Sequence, residues 1–395
     1  MSSIVKSAAT VAAGAVAGNI SKSASKRALK AQARQDAKMK KRRGAGWEPA
    51  PTDLLPSVNK RGKGCRRFKV VLSYEGAGFH GWMQQFPPGQ APLRTIEGVV
   101  QTSFRQAIGQ RVRVHPAGRT DAGVNATGQV CQFDAETTED TQPMAQRINE
   151  HLPPDCRVRS IEHVPQSFTA MGCLWKRYVY TIPAGTQSAL VSFCRRSLQQ
   201  QHGHNPEGVR DGDTRISDDL AVDVPRMNAA AAILTGRHDF AAFQSKGGRK
   251  NTVRTLYNCT VCRVGVGAEP DASEEHADTG RLRLVFEGDG FLYNMVRILS
   301  GTLLEVGCGL RTLEQTAALV APLDPAAVAA APGATSAKAV PSGESEDATA
   351  TRAAADAALA TVAIRGMSGP TLAAECLCLE HVEYEQQWSA TNETD

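Results

Sequence analysis

Gly118-Arg119-Thr120-Asp121-Ala122-Gly123-Val124-Asn125-Ala126-Thr127-Gly128-Gln129-Val130 is the stretch on which the reading of this chain turns. Glycines at 118, 123 and 128 permit left-handed or tight backbone geometry, so the segment can fold sharply around its one acidic side chain. Val112 and Val114 alternate with arginines before it, and Val130, Cys131 and Phe133 resume an apolar pattern after it, which predicts strand, glycine loop, strand. Two readings of Asp121 follow from the residues alone. One is a turn aspartate that bonds its own backbone; the other is a carboxylate kept ionised beside Arg119 and able to act as a nucleophile.

Outward from this loop, the chain of 395 residues is long enough for two domains and a large core. It contains no run of 18 or more apolar residues, so no membrane-spanning helix is expected. The net charge of +5 is unevenly spread: residues 1–43 hold 11 Lys/Arg against Asp36 alone, leaving 34 basic and 39 acidic residues in the remainder. A phosphate-binding surface on the folded body must therefore be a local patch. The basic, Ala/Ser-rich start fits a mitochondrial transit segment. Lys38-Met39-Lys40-Lys41-Arg42-Arg43 also fits a nuclear address or an RNA-contacting arm, and a solvated tail of cytoplasmic protein is the plain alternative. The ten cysteines lack a framework spacing and read as buried reduced thiols. Cys259-x-x-Cys262 and Cys376-x-Cys378 lack the knuckle context of a zinc site.

Periodicity places strands at 67–74, 158–164, 177–182, 256–264, 281–286 and 376–384, and helices at 95–108, 144–152, 225–236 and 294–306. Thr95 is the expected cap of the first helix, and Pro153-Pro154 ends the second. The order strand-helix-strand-strand-helix-strand is that of a ferredoxin-like (RRM-like) unit. The expected architecture is α+β: two such units joined into one extended antiparallel sheet with a central cleft. The boundaries are a basic extension over 1–66, a first domain over 67–165, a second over 166–386 with insertions near 184–222 and 312–362, and a tail over 387–395. Residues 321–360 hold 17 alanines among 40 residues, a low-complexity composition.

The opening string is very similar to the signature of the TruA family of RNA pseudouridine synthases, usually written GRTDAGVHA-x-GQV, and departs from it at Asn125. The resemblance extends through Tyr74-Glu75-Gly76 with Phe79-His80-Gly81-Trp82, Lys176-Arg177-Tyr178-Val179-Tyr180, Gly236-Arg237-His238-Asp239-Phe240 and Phe291-Leu292-Tyr293-Asn294-Met295-Val296-Arg297. It implies isomerisation of uridine to pseudouridine in RNA, without metal or cofactor, by a homodimer. The implied substrate is the anticodon stem-loop region of tRNA. Ribosomal or messenger RNA, or a fold kept for RNA binding or ribosome assembly without dependence on catalysis, are the alternatives.

By the same resemblance Asp121 is the nucleophile, attacking either ribose C1′ or the uracil ring. Arg297 pairs with it, Tyr178 stacks on the flipped base, and Arg119 assists flipping. Gly118, Thr120, Asn125, Lys176 and Asn294 complete the substrate surround. Met83, Met171, Asn125 and the segment Pro370–Leu377 depart from the family pattern, which opens the question of which RNA is bound.

Overall fold

The computed structural model describes residues 52, 55–58, 64–88, 90–183, 189, 222–264, 281–320 and 368–385. Most of the 1–66 extension and of the 184–222 and 312–362 insertions, and the 387–395 tail, lie outside the described residues. The fold is mixed α+β, built on one large sheet of nine strands. The strands are β1 (Cys65–Tyr74), β2 (His115–Pro116), β3 (Asn125–Glu136), β4 (Cys156–Val164), β5 (Trp175–Ile182), β6 (Gly236–Asp239), β7 (Val253–Val264), β8 (Arg281–Gly288) and β9 (Leu377–Glu383). They lie in the order β4-β1-β3-β9-β5-β8-β7-β6, with β2 paired to β3.

Period-two burial sets the sheet faces. Phe68, Val70, Leu72 and Tyr74 of β1 are buried, while Arg67, Lys69, Val71 and Ser73 between them are half-buried. Helix α1 (Ile96–Ile108) lays Ile96, Val100 and Phe104 into the core. Its start is fixed by Thr95, whose hydroxyl oxygen accepts from the Gly98 N–H, and its end by Gly109 at φ 71°. Phe133 of β3 stacks on Phe68 (5.1 Å between centroids) and meets Phe104 edge-on (5.3 Å), which joins helix to sheet. Burying an aromatic ring of this size contributes about 1.5–3 kcal/mol.

Helix α2 (Thr141–His151) begins one turn before the expected Met144, because Pro143 is tolerated in a first turn. Helix α3 (Val224–Leu234) has Asp223 as its cap and Pro225 in its first turn. Helix α4 (Met295–Gly307) is buried along nearly its whole length, and the short α5 (Leu313–Ala317) carries a Thr312/Gln315 capping box. Helix α5 falls at the start of the segment expected as an insertion.

The expectation of a wholly antiparallel sheet needs correction. Six of the strand contacts are antiparallel on the path through β4-β1-β3 and β9-β5-β8-β7-β6, and β2–β3 is antiparallel as well. The junction between the halves, β3 with β9, is parallel, pairing Asn125 with Cys378 and Ala126 with Leu379. The reason is geometric. Both strands enter the sheet from the same end, so the segments preceding them, the Asp121 loop and residues 368–376, lie side by side. A Cβ on Gly123 would stand 3.1 Å from Ala374 Cβ and 3.4 Å from Glu375 Oε1.

The strand expected before the Asp121 loop is also shorter than its alternation suggests. Val112 and Val114 are buried, but their backbone groups bond helix α1 side chains: Arg105 Nε donates to the Val112 carbonyl (3.1 Å) and the Val114 N–H donates to Gln101 Oε1 (3.4 Å). Only His115 and Pro116 reach the ladder. After the loop, pairing starts at Asn125, inside the opening motif.

Candidate active site

The Asp121 loop is a braced turn. The Val124 N–H donates to the Asp121 carbonyl (3.2 Å), and Gly123, at φ 83°, supplies the left-handed backbone the reversal requires. From the strand behind it, Gln129 Nε2 donates to the Gly118 carbonyl (2.9 Å). From β1, the Tyr74 hydroxyl is hydrogen-bonded to Thr120 Oγ1 (2.8 Å) in a buried contact, and burial pushes the Tyr74 phenol up. From the turn before α1, the Trp82 N–H donates to the Thr120 carbonyl (3.0 Å). Gly81, at φ 82°, lets that turn lie against the loop: a Cβ there would be 3.1 Å from both Ala122 N and the Thr120 carbonyl.

Thr120 is thus a structural member of the loop, and Gly118 is a close-approach position. A Cβ on Gly118 would stand 3.3 Å from Lys176 Cε and 3.6 Å from its ammonium nitrogen, so the missing side chain leaves room for the Lys176 stem. Gly128 serves differently from the turn glycine expected: it lies in extended β3, where a Cβ would overlap the Glu380 carbonyl of β9.

Asp121 is half-buried. Burial pushes its carboxyl above the ordinary carboxylate range, and the charge of Arg297 pulls it back down. Arg297 acts through space: its own hydrogen bonds run from Nε to the Leu372 carbonyl (2.6 Å) and from Nη1 to Asn294 Oδ1 (2.7 Å). Asn294, at the head of α4, adopts a left-handed conformation (φ 61°), which asparagine tolerates better than most residues. Its Nδ2 donates to Ser245 Oγ (2.9 Å). Asn294 therefore orients the guanidinium that faces the Asp121 side of the sheet junction.

Tyr178 joins this arrangement through the sheet register. Ala126 pairs with Leu379, Leu379 with Tyr178 and Tyr178 with Phe286, so Tyr178 lies two strands from the end of the Asp121 loop, about 10 Å at ordinary strand spacing. It is 7% exposed and its ring meets Phe291 edge-on at 5.1 Å. Burial raises its phenol, with the charges of Tyr74 and Asp121 adding to the rise, so the hydroxyl stays protonated. Tyr180, on the same face, is wholly buried. Arg119 is exposed beside the loop.

Asn125 makes two bonds. Its Oδ1 accepts from the Gly76 N–H (2.7 Å) and its Nδ2 donates to the Glu375 carbonyl (2.7 Å). Sequence reasoning missed the bracing roles of Tyr74, Gln129, Trp82 and Glu375. Two signals pointed toward them: Tyr74 continues the buried alternation of β1, and Gln129 is a polar residue inside an apolar strand. The cysteines depart from the buried expectation in part. Cys131, Cys156 and Cys259 are buried, but Cys262 is exposed, and no disulfide joins two cysteines among the described residues. Among the described residues no group of three or more His, Cys, Asp or Glu is placed to hold a metal ion, and no helix is long and apolar enough to cross a membrane.

A half-buried carboxylate on a braced loop, under the charge of a buried-helix arginine and near a protonated tyrosine, is an arrangement compatible with a carboxylate nucleophile. Comparison with known proteins gives the same class. Residues 230–342 match the sequence profile of a family described as tRNA pseudouridine synthase. The chain is 35% identical over 268 residues to tRNA pseudouridine synthase A of Oleidesulfovibrio alaskensis, covering 65% of this chain and 89% of that one. It is 36% identical over 261 residues to tRNA pseudouridine synthase A of Lactobacillus delbrueckii subsp. bulgaricus (65% and 85%), and 32% identical over 264 residues to that of Geotalea uraniireducens (66% and 93%). This chain belongs to the TruA family of tRNA pseudouridine synthases.

Proposed function

We propose that the chain isomerises uridine to pseudouridine in tRNA, with Asp121 as the nucleophile. The observation that carries this is the state of Asp121: partly desolvated, on a loop braced by β1, β3 and the turn before α1, and answered by the Arg297 charge. In the reaction the uracil leaves ribose C1′, turns, and rejoins the sugar through C5. No atom is lost and no electron is transferred. A carboxylate forms a transient bond, either to C1′ or to the ring, which breaks as C5 bonds to C1′, and excluding water from the site prevents hydrolysis of that intermediate.

Extruding a stacked uridine costs a few kcal/mol. Tyr178 offsets part of that by stacking against the base, a contact worth roughly 1–3 kcal/mol, and exposed Arg119 fills the space vacated in the RNA while holding phosphate. Lys176, leaning over Gly118, adds a second cation at the loop. Thr120, Asn125 and Asn294 complete the substrate surround, and their hydrogen bonds within the protein keep it in shape.

The arrangement supporting this site is two ferredoxin-like units. In the first, strands β1, β2, β3 and β4 lie in the order β4-β1-β3-β2. In the second, β5, β7, β8 and β9 lie in the order β9-β5-β8-β7. Each is the first-to-fourth strand order 4-1-3-2 that a βαββαβ unit produces. A homodimer and a mitochondrial destination complete the reading, the latter from the 11 basic residues and single acid in residues 1–43.

The test is deletion of the gene, complementation with wild type or Asp121→Ala, and mapping of pseudouridine across total RNA. Specific tRNA uridines should lose modification in the deletion and regain it only with wild type. Unchanged tRNA maps, or rescue by Asp121→Ala, would refute the enzyme reading. A reporter fused to residues 1–66 that stays in the cytosol would remove the mitochondrial destination.

A further inference from the structure

We propose that Asn125 is the positioning residue that sets Asp121, by tying the nucleophile loop to both halves of the molecule at once. This rests on the reading of Asp121 as nucleophile. Asn125 follows Asp121 by four residues and is the first residue of β3, so its backbone closes the loop. Its amide oxygen accepts from Gly76 N–H, which belongs to the turn after β1 in the first half. Its amide nitrogen donates to the Glu375 carbonyl, which precedes β9 in the second half.

Both bonds are 2.7 Å, at the short end for such pairs. Gly76 is itself pressed onto the loop: a Cβ there would overlap the backbone at Gly123 and Val124. The side chain thus fixes the loop end between two backbones.

Chemistry makes the proposal specific. A neutral imidazole carries one acceptor and one donor nitrogen, so histidine, the residue usual in the family pattern, can serve the same two partners. Aspartate accepts from Gly76 but cannot donate to the Glu375 carbonyl. Leucine keeps approximate size and makes neither bond. The series His, Asp, Leu therefore removes none, one and both of the bonds.

The experiment measures single-turnover pseudouridine formation on an unmodified tRNA transcript, with its pH dependence, tRNA affinity and thermal melting, for wild type, Asp121→Ala, Asn125→His, Asn125→Asp and Asn125→Leu. Asn125→Leu should lower the single-turnover rate by roughly 10²-fold, as a misplacement of about 1 Å does, with tRNA affinity changed less than about threefold. Its acid limb should move to lower pH, because a loosened loop admits water and relieves the burial that raises Asp121. Asn125→Asp should fall between, and Asn125→His should recover most of the rate.

A merely structural asparagine would lower the melting temperature while the folded variant kept its rate and pH profile. Asn125→Leu within about threefold of wild type below its melting point, or with an unmoved acid limb, overturns the proposal. A wild type no more active than Asp121→Ala overturns the enzymatic reading itself, and the positioning role with it.

Discussion

Strand β9 has two flanks of different construction. Against β5 it forms an antiparallel ladder through six residue pairs, from Trp175–Glu383 to Tyr180–Leu377, with one register shift. Against β3 it forms a parallel contact of two pairs. The first flank is held by many backbone bonds, so no single position dominates it. The second has little ladder, and parallel pairing is slightly weaker per residue. Its cohesion is concentrated in close backbone fit at Gly128 and in the Asn125 amide. The site sits at the flank with fewer bonds. The Asp121 loop there is adjusted by individual side chains, whereas the Tyr178 side is fixed by the ladder.

The contrast is broken most severely at Gly128. A side chain there has no space against the Glu380 carbonyl, so Gly128→Val should cost more than about 3 kcal/mol or prevent soluble folding, read by chemical denaturation. Gly64, with open space around its Cα, should accept alanine with a change within about 0.5 kcal/mol and serves as control.

Arg297 comes next, because it spans the comparison: it bonds the Leu372 carbonyl on the β9 side and its charge acts on Asp121. Arg297→Gln should lower the single-turnover rate by roughly 10²-fold, the scale of losing one preorganised electrostatic partner. The sign of its pH effect is definite. Arg297 lowers the Asp121 carboxyl, so removing it raises that group further, and the acid limb of the rate profile must move to higher pH. This is opposite to the shift expected for Asn125→Leu, which separates loss of charge from loss of position.

The smallest effect belongs to the ladder flank. Arg283 and Glu380 pair at 2.8 Å across β5, both partly exposed. Glu380→Gln should cost about 1 kcal/mol or less and less still in high salt, measured as a shift in denaturation midpoint.

Elements with a complete local signal are readable from the chain itself. Thr95, the apolar face from Ile96 to Phe104 and Gly109 specify α1 without outside help. The alternation of β1 does the same for the first strand. What escaped the reading is set by distant partners. Strand β3 begins at Asn125 because Cys378 and Leu379 pair there, and nothing near residue 125 announces a strand more than 250 residues later. The parallel sense of that junction is likewise a property of two entering loops, not of either sequence.

The site divides in the same way. The Asp121 loop and the Tyr178 strand could be found from quoted motifs. Their relation depends on the row Ala126–Leu379–Tyr178, which only the folded register supplies. Gly128 illustrates the limit well: its freedom of backbone suggested a turn, while its actual use is the absence of a side chain beneath a neighbouring carbonyl.

The position of β9 also governs the order in which the molecule can be assembled during synthesis. It is the last described strand to leave the ribosome and yet it fills the middle of the sheet. Until it arrives, β5 and the start of β3 each present an unpaired edge, the surface most prone to pairing with the wrong chain. Asn125 has no Glu375 to hold during that interval, so the Asp121 loop is completed only once residue 375 has emerged. The nascent chain must therefore protect two open edges from the emergence of β5 to that of β9, and long-range closure of this kind is slow. Demand for a chaperone should be greatest in the seconds before β9 is released, and a chain arrested before residue 368 should be captured far more strongly than one arrested after residue 385 has emerged.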